Sequence, residues 1–210
     1  MPFSYLAPIF HYVAIGSKFQ VSFESNENYI KQTSRNRTCI YSEKGLMNLV
    51  IPVCKQSGQK TAITQIEISY QEKWNKIHWD AICAAYNSSP FFEYYKDDLK
   101  YVYSNPPLKL WEFNSILFNI IKELIDIEYN YTFSTSFIPI SEKNEYDFRY
   151  KEDFSYFNFP KYTQVFAKRW GFIPNLSIID LLFNLGPETS SYLDACQNSF
   201  SIIHFQSLGK

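Results

Sequence analysis

The alternation of apolar and polar positions changes period several times along the chain, and each change predicts an element. Ile9 to Ile15 is a short, largely apolar run begun by Pro8 and stopped by Gly16. It predicts a brief helix, because proline is tolerated in a first turn and glycine favours an end. Phe19, Val21 and Phe23 alternate with Gln20, Ser22 and Glu24, a period of two that reads as a strand. Thr38–Tyr41 and Leu46–Val53 flank Ser42-Glu43-Lys44-Gly45, the pattern of a hairpin whose Gly45 is free to take a positive φ. Gln56 to Lys60 is polar, contains Gly58 and predicts a loop, and Ile63, Ile66 and Ile68 suggest another strand.

Helical spacing then takes over. Ser69 and Glu72 stand at the spacing of a capping box, followed by Trp74, Ile77, Ala81, Ile82 and Ala85 on one face. Asn87-Ser88-Ser89-Pro90 ends that helix, and Ser89-Pro90 starts another through Phe91, Phe92 and Tyr95. Beyond the break at Asn105-Pro106-Pro107, Phe113, Leu117, Ile120, Ile121 and Leu124 mark a long amphipathic helix. Tyr129 to Ile140 has a β-rich composition, and Ser141 to Tyr162 has no clear period, as befits a long loop or lid. Ile178, Leu181, Leu182 and Leu185 form a last helix face, closed by Gly186-Pro187. Early strands that pair locally, followed by helices, predict an α/β fold with a mixed sheet and helices packed on it, with α+β as the alternative.

Composition narrows the class. The 210 residues fit one domain, 46% are apolar, and aromatics reach 19%. So many rings fill a core or line a stacking surface. A net charge of −1 argues against a general nucleic-acid binder. Cys39, Cys54, Cys83 and Cys196 are widely spaced, so neither a zinc site nor a disulfide framework is expected. No secretory leader and no apolar run of membrane-spanning length is read, which makes the cytoplasm the expected compartment and the thiols reduced. Neither G-x-G-x-x-G nor a P-loop occurs, so dinucleotide or ATP recognition by those devices is not expected; metal-ligand spacing is absent too, so no cofactor or metal is expected.

The densest chemistry lies between Glu24 and Arg37. Glu24, Glu27, Tyr29, Lys31, Gln32, Arg35, Asn36 and Arg37 follow a strand end, where a loop presents side chains over a rigid scaffold. Arginine can hold phosphate or carboxylate through paired hydrogen bonds, and a carboxylate can bind an amine or take its proton. The bland alternative is a solvated loop with weak surface ion pairs. His78 and Trp79 come next: His78 lies on the apolar stripe of its helix, either as a hydrogen-bonded core residue or, beside a cleft, as the best acid/base candidate. His11 and His204 are weaker. Asp147-Phe148-Arg149, with Lys151 and Lys161 nearby, reads as an exposed loop or as a lid carrying charge over a ligand. Asp180 and Asn184, one turn apart, face a ligand or solvent. Cys83 reads as an inert core thiol, Cys39 as a packed or a low-pKa thiol. There is no G-x-S-x-G elbow.

Several runs together resemble the WbqC-like protein family. They are Tyr5-Leu6-Ala7-Pro8-Ile9, Glu24-x-x-Glu27-Asn28-Tyr29-x-Lys31-Gln32, Arg35-Asn36-Arg37, Leu49-x-Ile51-Pro52-Val53, Trp74-x-x-x-His78-Trp79, Ser89-Pro90-Phe91-Phe92-Glu93-Tyr94-Tyr95, Tyr162-x-Gln164-Val165-Phe166 and the stretch Gly171 to Asn184. The resemblance implies a bacterial protein linked to surface polysaccharide production and a glycine transferase activity, without assigning roles to residues. Combined with the charge cluster, it leads to an expected aminoacyl transfer to an amino sugar, so the expected partner is a small molecule. Lys31, Arg35 and Arg37 would hold a sugar or nucleotide phosphate, and Glu24 or Glu27 the amine. His78 would be a reserve base, and Tyr29 or Trp79 would lie on the sugar ring. The competing expectations are a non-catalytic glycan or nucleotide-sugar binder and a structural subunit.

Overall fold

The structure is a computed structural model that describes residues 1–18, 20–54, 60–139, 147–149 and 157–197. Phe19, most of the expected Gln56–Lys60 loop, Lys151, His204 and the larger part of 141–162 lie outside the described residues.

Helix α1 (Ile9–Ile15) and strand β1 (Val21–Phe23) come first. The β2 (Arg37–Ser42) and β3 (Gly45–Val50) hairpin pairs Arg37 with Val50 and Ser42 with Gly45, whose φ of 94° makes the turn. Strand β4 (Val53–Cys54) pairs antiparallel with β5 (Glu67–Ile68). The Ile63, Ile66, Ile68 pattern gives a 3₁₀ turn at Ile63–Gln65 before β5, so only its end is strand. Helices α2 (Trp74–Tyr86), α3 (Phe92–Ser104) and α4 (Leu110–Ile125) follow, and β6 (Tyr131–Phe133) pairs parallel with β1. Short α5 (Ala167–Trp170) and buried α6 (Ile178–Leu185) come next, and a 3₁₀ turn at Gly186–Glu188 leads into helical residues 189–197. Helix is thus combined with parallel and antiparallel pairing, distributed among the described residues over three two-stranded sheets.

The capping box does not form. Ser69 donates its N–H to Pro52 O at 2.8 Å, which draws it into the β4–β5 region, and α2 starts only at Trp74 without a side-chain cap. Tertiary pairing here outweighs a local signal worth about 1 kcal/mol.

Aromatic rings dominate the core. Phe3 meets Phe23, Trp111, Phe118 and Phe133 at centroid distances of 4.8 to 5.4 Å, joining the N-terminal segment to α4 and to the β1–β6 pair. Buried α6 packs its Phe183 against Tyr86 and Phe92, which ties it to α2 and α3. Burial of α6 is nearly complete: Ile178 through Asn184 are all buried. Asp180 and Asn184 therefore do not form a solvated face.

Candidate functional site

Residues 5–9 form the spine of the site. They thread between the start of β2 and the loop before α6, hydrogen-bonded on both sides. Tyr5 N–H donates to Ser34 O at 3.0 Å, Ile9 N–H to Leu176 O at 3.0 Å and Ile178 N–H to Ala7 O at 3.0 Å. Leu6 O accepts from Thr38 Oγ1 at 2.8 Å and Ser177 Oγ at 2.9 Å. Beside this spine opens a cleft of about 380 Å³, lined by Pro8, Gln32, Thr33, Ser34, Arg37, Thr38, Cys39, Asn48, Arg149, Asn175 and Ser177. Among the described residues, its charged lining residues are both arginines and no carboxylate lines it.

Backbone strain gathers at the same place. Four described non-glycine residues have positive φ, and Gln32 (64°) and Asn175 (53°) line the cleft while Leu6 (38°) carries the carbonyl just described. A bulky residue such as Leu in this region is unfavourable by about 1–3 kcal/mol, and such strain persists where surrounding contacts over-determine the backbone. Asn175 shows how. Its Oδ1 accepts the Phe10 N–H at 2.8 Å, which fixes the amide; among the described residues Nδ2 has no hydrogen bond.

Behind the cleft, Arg35 has no exposed surface. It gives Nε to Glu27 Oε1 and Nη2 to Glu27 Oε2, each at 2.6 Å, and Nη1 to Arg149 O at 3.3 Å. Asn114 of α4 caps Arg35 O at 2.9 Å. Arg149 is held as tightly: Nε bonds both Asp147 oxygens at 2.8 and 3.0 Å, Nη2 pairs with Asp147, and Nη1 reaches Ile138 O at 2.7 Å and Glu24 Oε2 at 3.3 Å. Glu24 also accepts from Ser134 Oγ at 2.5 Å and from the amides of Asn26 and Ile138 at 2.8 and 2.9 Å. Burial alone would raise the Glu24 pKa; Ser134, the two amides and Arg149 outweigh it and hold the group below the usual carboxylate range. Asp147 is likewise held low, its burial outweighed by Arg149. Arg37 differs from its neighbours. It is half-buried, its Nε is buried without a hydrogen-bond partner, and among the described residues it has no ion pair.

Of the residues singled out from sequence, Gln32 and Arg37 line the cleft, and Lys31 is exposed next to Gln32. Glu24, Glu27 and Arg35 stand behind it in the ion pairs above. Tyr29 is buried, and Asn36 is buried with Nδ2 on Ile51 O at 2.8 Å. His78 and Trp79 are elsewhere. His78 Nδ1 bonds the Tyr5 hydroxyl at 3.0 Å, that hydroxyl bonds Tyr103 at 2.6 Å, and burial lowers the imidazole pKa to about 4. It is a neutral, hydrogen-bonded core histidine. Trp79 packs on Phe92 and Tyr103 of α3 at 6.5 and 5.6 Å.

Asp180, buried with 1% exposure, accepts from Tyr162 Oη at 2.5 Å and Gln164 Nε2 at 3.1 Å. Its pKa is raised by burial, although these hydrogen bonds oppose the shift. Gln164 also clamps Ile173, giving Nε2 to its carbonyl at 2.8 Å and accepting its N–H at 3.0 Å. Asp180 thus fixes the loop that delivers Asn175 and Ser177 to the cleft. Cys39 lines the cleft, but burial raises its thiol pKa, which removes the low-pKa alternative.

Arg149 and Asn175 belong to the cleft and were not joined to it by sequence. Arg149 lies 114 positions from Arg35 and has no local signal tying the two together. For Asn175 the Pro-Asn-Leu-Ser run was the available clue. Among the described residues, no group of three or more His, Cys, Asp or Glu could hold a metal ion, and no helix is long and apolar enough to cross a membrane.

The sequence model of the WbqC-like protein family matches residues 4–153 and 147–192. A similar relative is the uncharacterized protein Rv1507c of Mycobacterium tuberculosis, 26% identical over 198 residues that cover 80% of this chain and 85% of the relative. No solved structure matches.

Proposed function

We propose, for a chain that belongs to the WbqC-like protein family, that the Arg37–Arg149 cleft binds the phosphate of a sugar phosphate or nucleotide sugar. The protein then serves bacterial surface polysaccharide biosynthesis of the O-antigen type, transferring an aminoacyl group, glycyl in the leading case, to an amino sugar. On this reading residues 1–210 form one domain that works in the cytoplasm. The supporting observation is the lining itself: among the described residues, two guanidinium groups, several amides and hydroxyls, and no carboxylate. Arginine donors suit a phosphate or carboxylate because their N–H groups match two oxygens at once. Arg37 supplies the free charge, Asn175 Nδ2 a neutral donor, and Gln32 the rim. Glu24 and Glu27 act through the arginines they hold, and Lys31 adds an exposed cation at the edge.

Aminoacyl transfer joins the substrate amine to an activated carbonyl and releases one proton, which a base or the leaving group must take. Among the described residues the lining contains no carboxylate and no histidine. That observation favours a second reading, a non-catalytic nucleotide-sugar-binding protein that acts through a partner. Thermal shift and calorimetry against nucleotide sugars and sugar phosphates, with wild type and Arg37→Gln, test the shared premise. A true ligand at about 100 times its Kd adds about 2.7 kcal/mol of stability. No shift with any ligand, or the same shift in Arg37→Gln, removes the cleft as the binding site. Product formation from an activated glycine donor and a bound amino sugar selects the enzyme; binding without product over a broad acceptor panel selects the binding protein.

A further inference from the structure

Resting on the reading of this cleft as an anion site, we propose that it selects tetrahedral groups carrying one negative charge each. Each phosphate inside a diphosphate-linked sugar meets that description, as does a sulfate ester. A phosphomonoester dianion is discriminated against. Three arginines and three carboxylates meet here, and their pairing sets the charge a ligand finds. Arg35 and Glu27 cancel through two hydrogen bonds of 2.6 Å. Arg149 is shared between Asp147 and Glu24, one cation against two carboxylates, which leaves an excess negative charge behind that wall. Both of these carboxylates are held below the usual range and are ionised at neutral pH. Arg37 alone has no ion pair among the described residues, and its buried Nε has no hydrogen-bond partner.

A singly charged group on Arg37 is therefore matched in charge and gains the Asn175 amide as a neutral donor. Among the described residues that line the cleft, a second charge on the same group finds no second unpaired cation; Lys31 stands outside the lining, at the exposed edge. Arg149 cannot turn to it without abandoning Asp147 and the Ile138 carbonyl, which engage Nε, Nη1 and Nη2. The second charge instead faces the excess on Glu24 and Asp147. Nearby, Tyr29 and Cys39 are raised by burial and the Met1 amine, which faces Asp147, is lowered by burial to about 6, so all three are largely neutral at pH 8 and do not alter this balance.

The decisive pair of ligands has one shape and two charges. Calorimetry at pH 8 compares a hexosamine phosphomonoester, dianionic there, with the same hexosamine as its sulfate ester, and adds a nucleotide diphosphate hexosamine. The sulfate ester is expected to bind about threefold or more tightly than the phosphomonoester, the order that one unit charge gives across several ångströms of wet cleft. Asp147→Asn is expected to raise phosphomonoester affinity more than sulfate affinity, because the lost charge acts twice on the dianion and once on the monoanion, so the gap between the two narrows. A diphosphate sugar that binds more tightly than the sulfate identifies the diphosphate as the source of the group; the reverse order identifies a sulfated sugar. A phosphomonoester that binds as tightly as the sulfate or more so overturns the charge selectivity while leaving the anion site standing. Failure of all three ligands, or binding indifferent to Arg37→Gln, overturns the anion site and the selectivity with it.

Discussion

Glu27→Gln keeps the volume of the side chain and removes its charge, and the consequences for Arg35 can be followed bond by bond. The carboxylate now accepts two hydrogen bonds of 2.6 Å from Nε and Nη2, and the guanidinium has no exposed surface. In the variant one glutamine oxygen serves one donor, and the glutamine NH₂ faces the other as a donor against a donor. The remaining bond, Nη1 to Arg149 O, is 3.3 Å long and neutral at the acceptor. Breaking a buried ion pair from one side costs about 3–5 kcal/mol, because the surviving charge stays desolvated. Total stability of a domain is of the order of 5–15 kcal/mol, so the variant loses a large share of it. Urea unfolding followed by fluorescence measures this: with a slope of about 2 kcal/mol per molar, the midpoint falls by roughly 1.5–2.5 M at unchanged slope. Glu27→Leu combined with Arg35→Met removes both charges, and the pair is expected to lose at least about 2 kcal/mol less than the sum of its single variants. A loss below about 1 kcal/mol in Glu27→Gln refutes the ion pair as a structural anchor. If such a variant also lost turnover, Glu27 would be the base considered from the sequence.

His78, with its folded pKa lowered to about 4, binds fewer protons than its unfolded form between that value and 6.5, so its contribution is complete above pH 6.5 and is lost as pH falls towards 4. That is about 3 kcal/mol, and His78→Gln should flatten this part of the wild-type stability–pH curve; an unchanged curve refutes the assignment. Gly186 has φ 54°, and a Cβ there would run into the Phe91 ring, so Gly186→Ala should cost about 2–4 kcal/mol by chemical denaturation, a normal midpoint counting against the packing described. Asn175→Ala loses the acceptor of the Phe10 N–H and the residue type that tolerates positive φ; a loss of about 1–3 kcal/mol is expected, together with weaker binding of any ligand that Arg37 holds.

Some of this was legible in the order of residues alone. The α1 boundaries, the β2–β3 hairpin with its Gly45 turn, and the apolar face of α4 follow from local period and from the conformational freedom of glycine and proline, whereas on α2 the expected face is buried at Trp74, Ile82 and Ala85 but leaves Ile77 57% exposed. These are short-range effects, and the chain carries them wherever it folds. The Glu24–Arg37 segment was also visible as a concentration of charge. What could not be read was the division of labour inside it. Arg35 and Arg37 are two positions apart with the same side chain, yet one is sealed against Glu27 and the other opens on a cleft.

Packing at long range decided that. Asn114 and Arg149, from distant parts of the chain, take up the backbone and the guanidinium of Arg35, while Arg37 has no ion pair among the described residues. The same holds for His78, whose helical position suited a core residue or a base equally until the Tyr5 hydroxyl, 73 positions away, settled on Nδ1. Asp180 reads as solvated by composition and is buried because α6 is enclosed on every side. Periodicity is a property of neighbouring residues, so sequence determined which segments became helices and hairpins. Charge pairing and burial are properties of groups brought together from 114 or 125 positions apart, so only the tertiary structure decided which cation was left to meet a ligand.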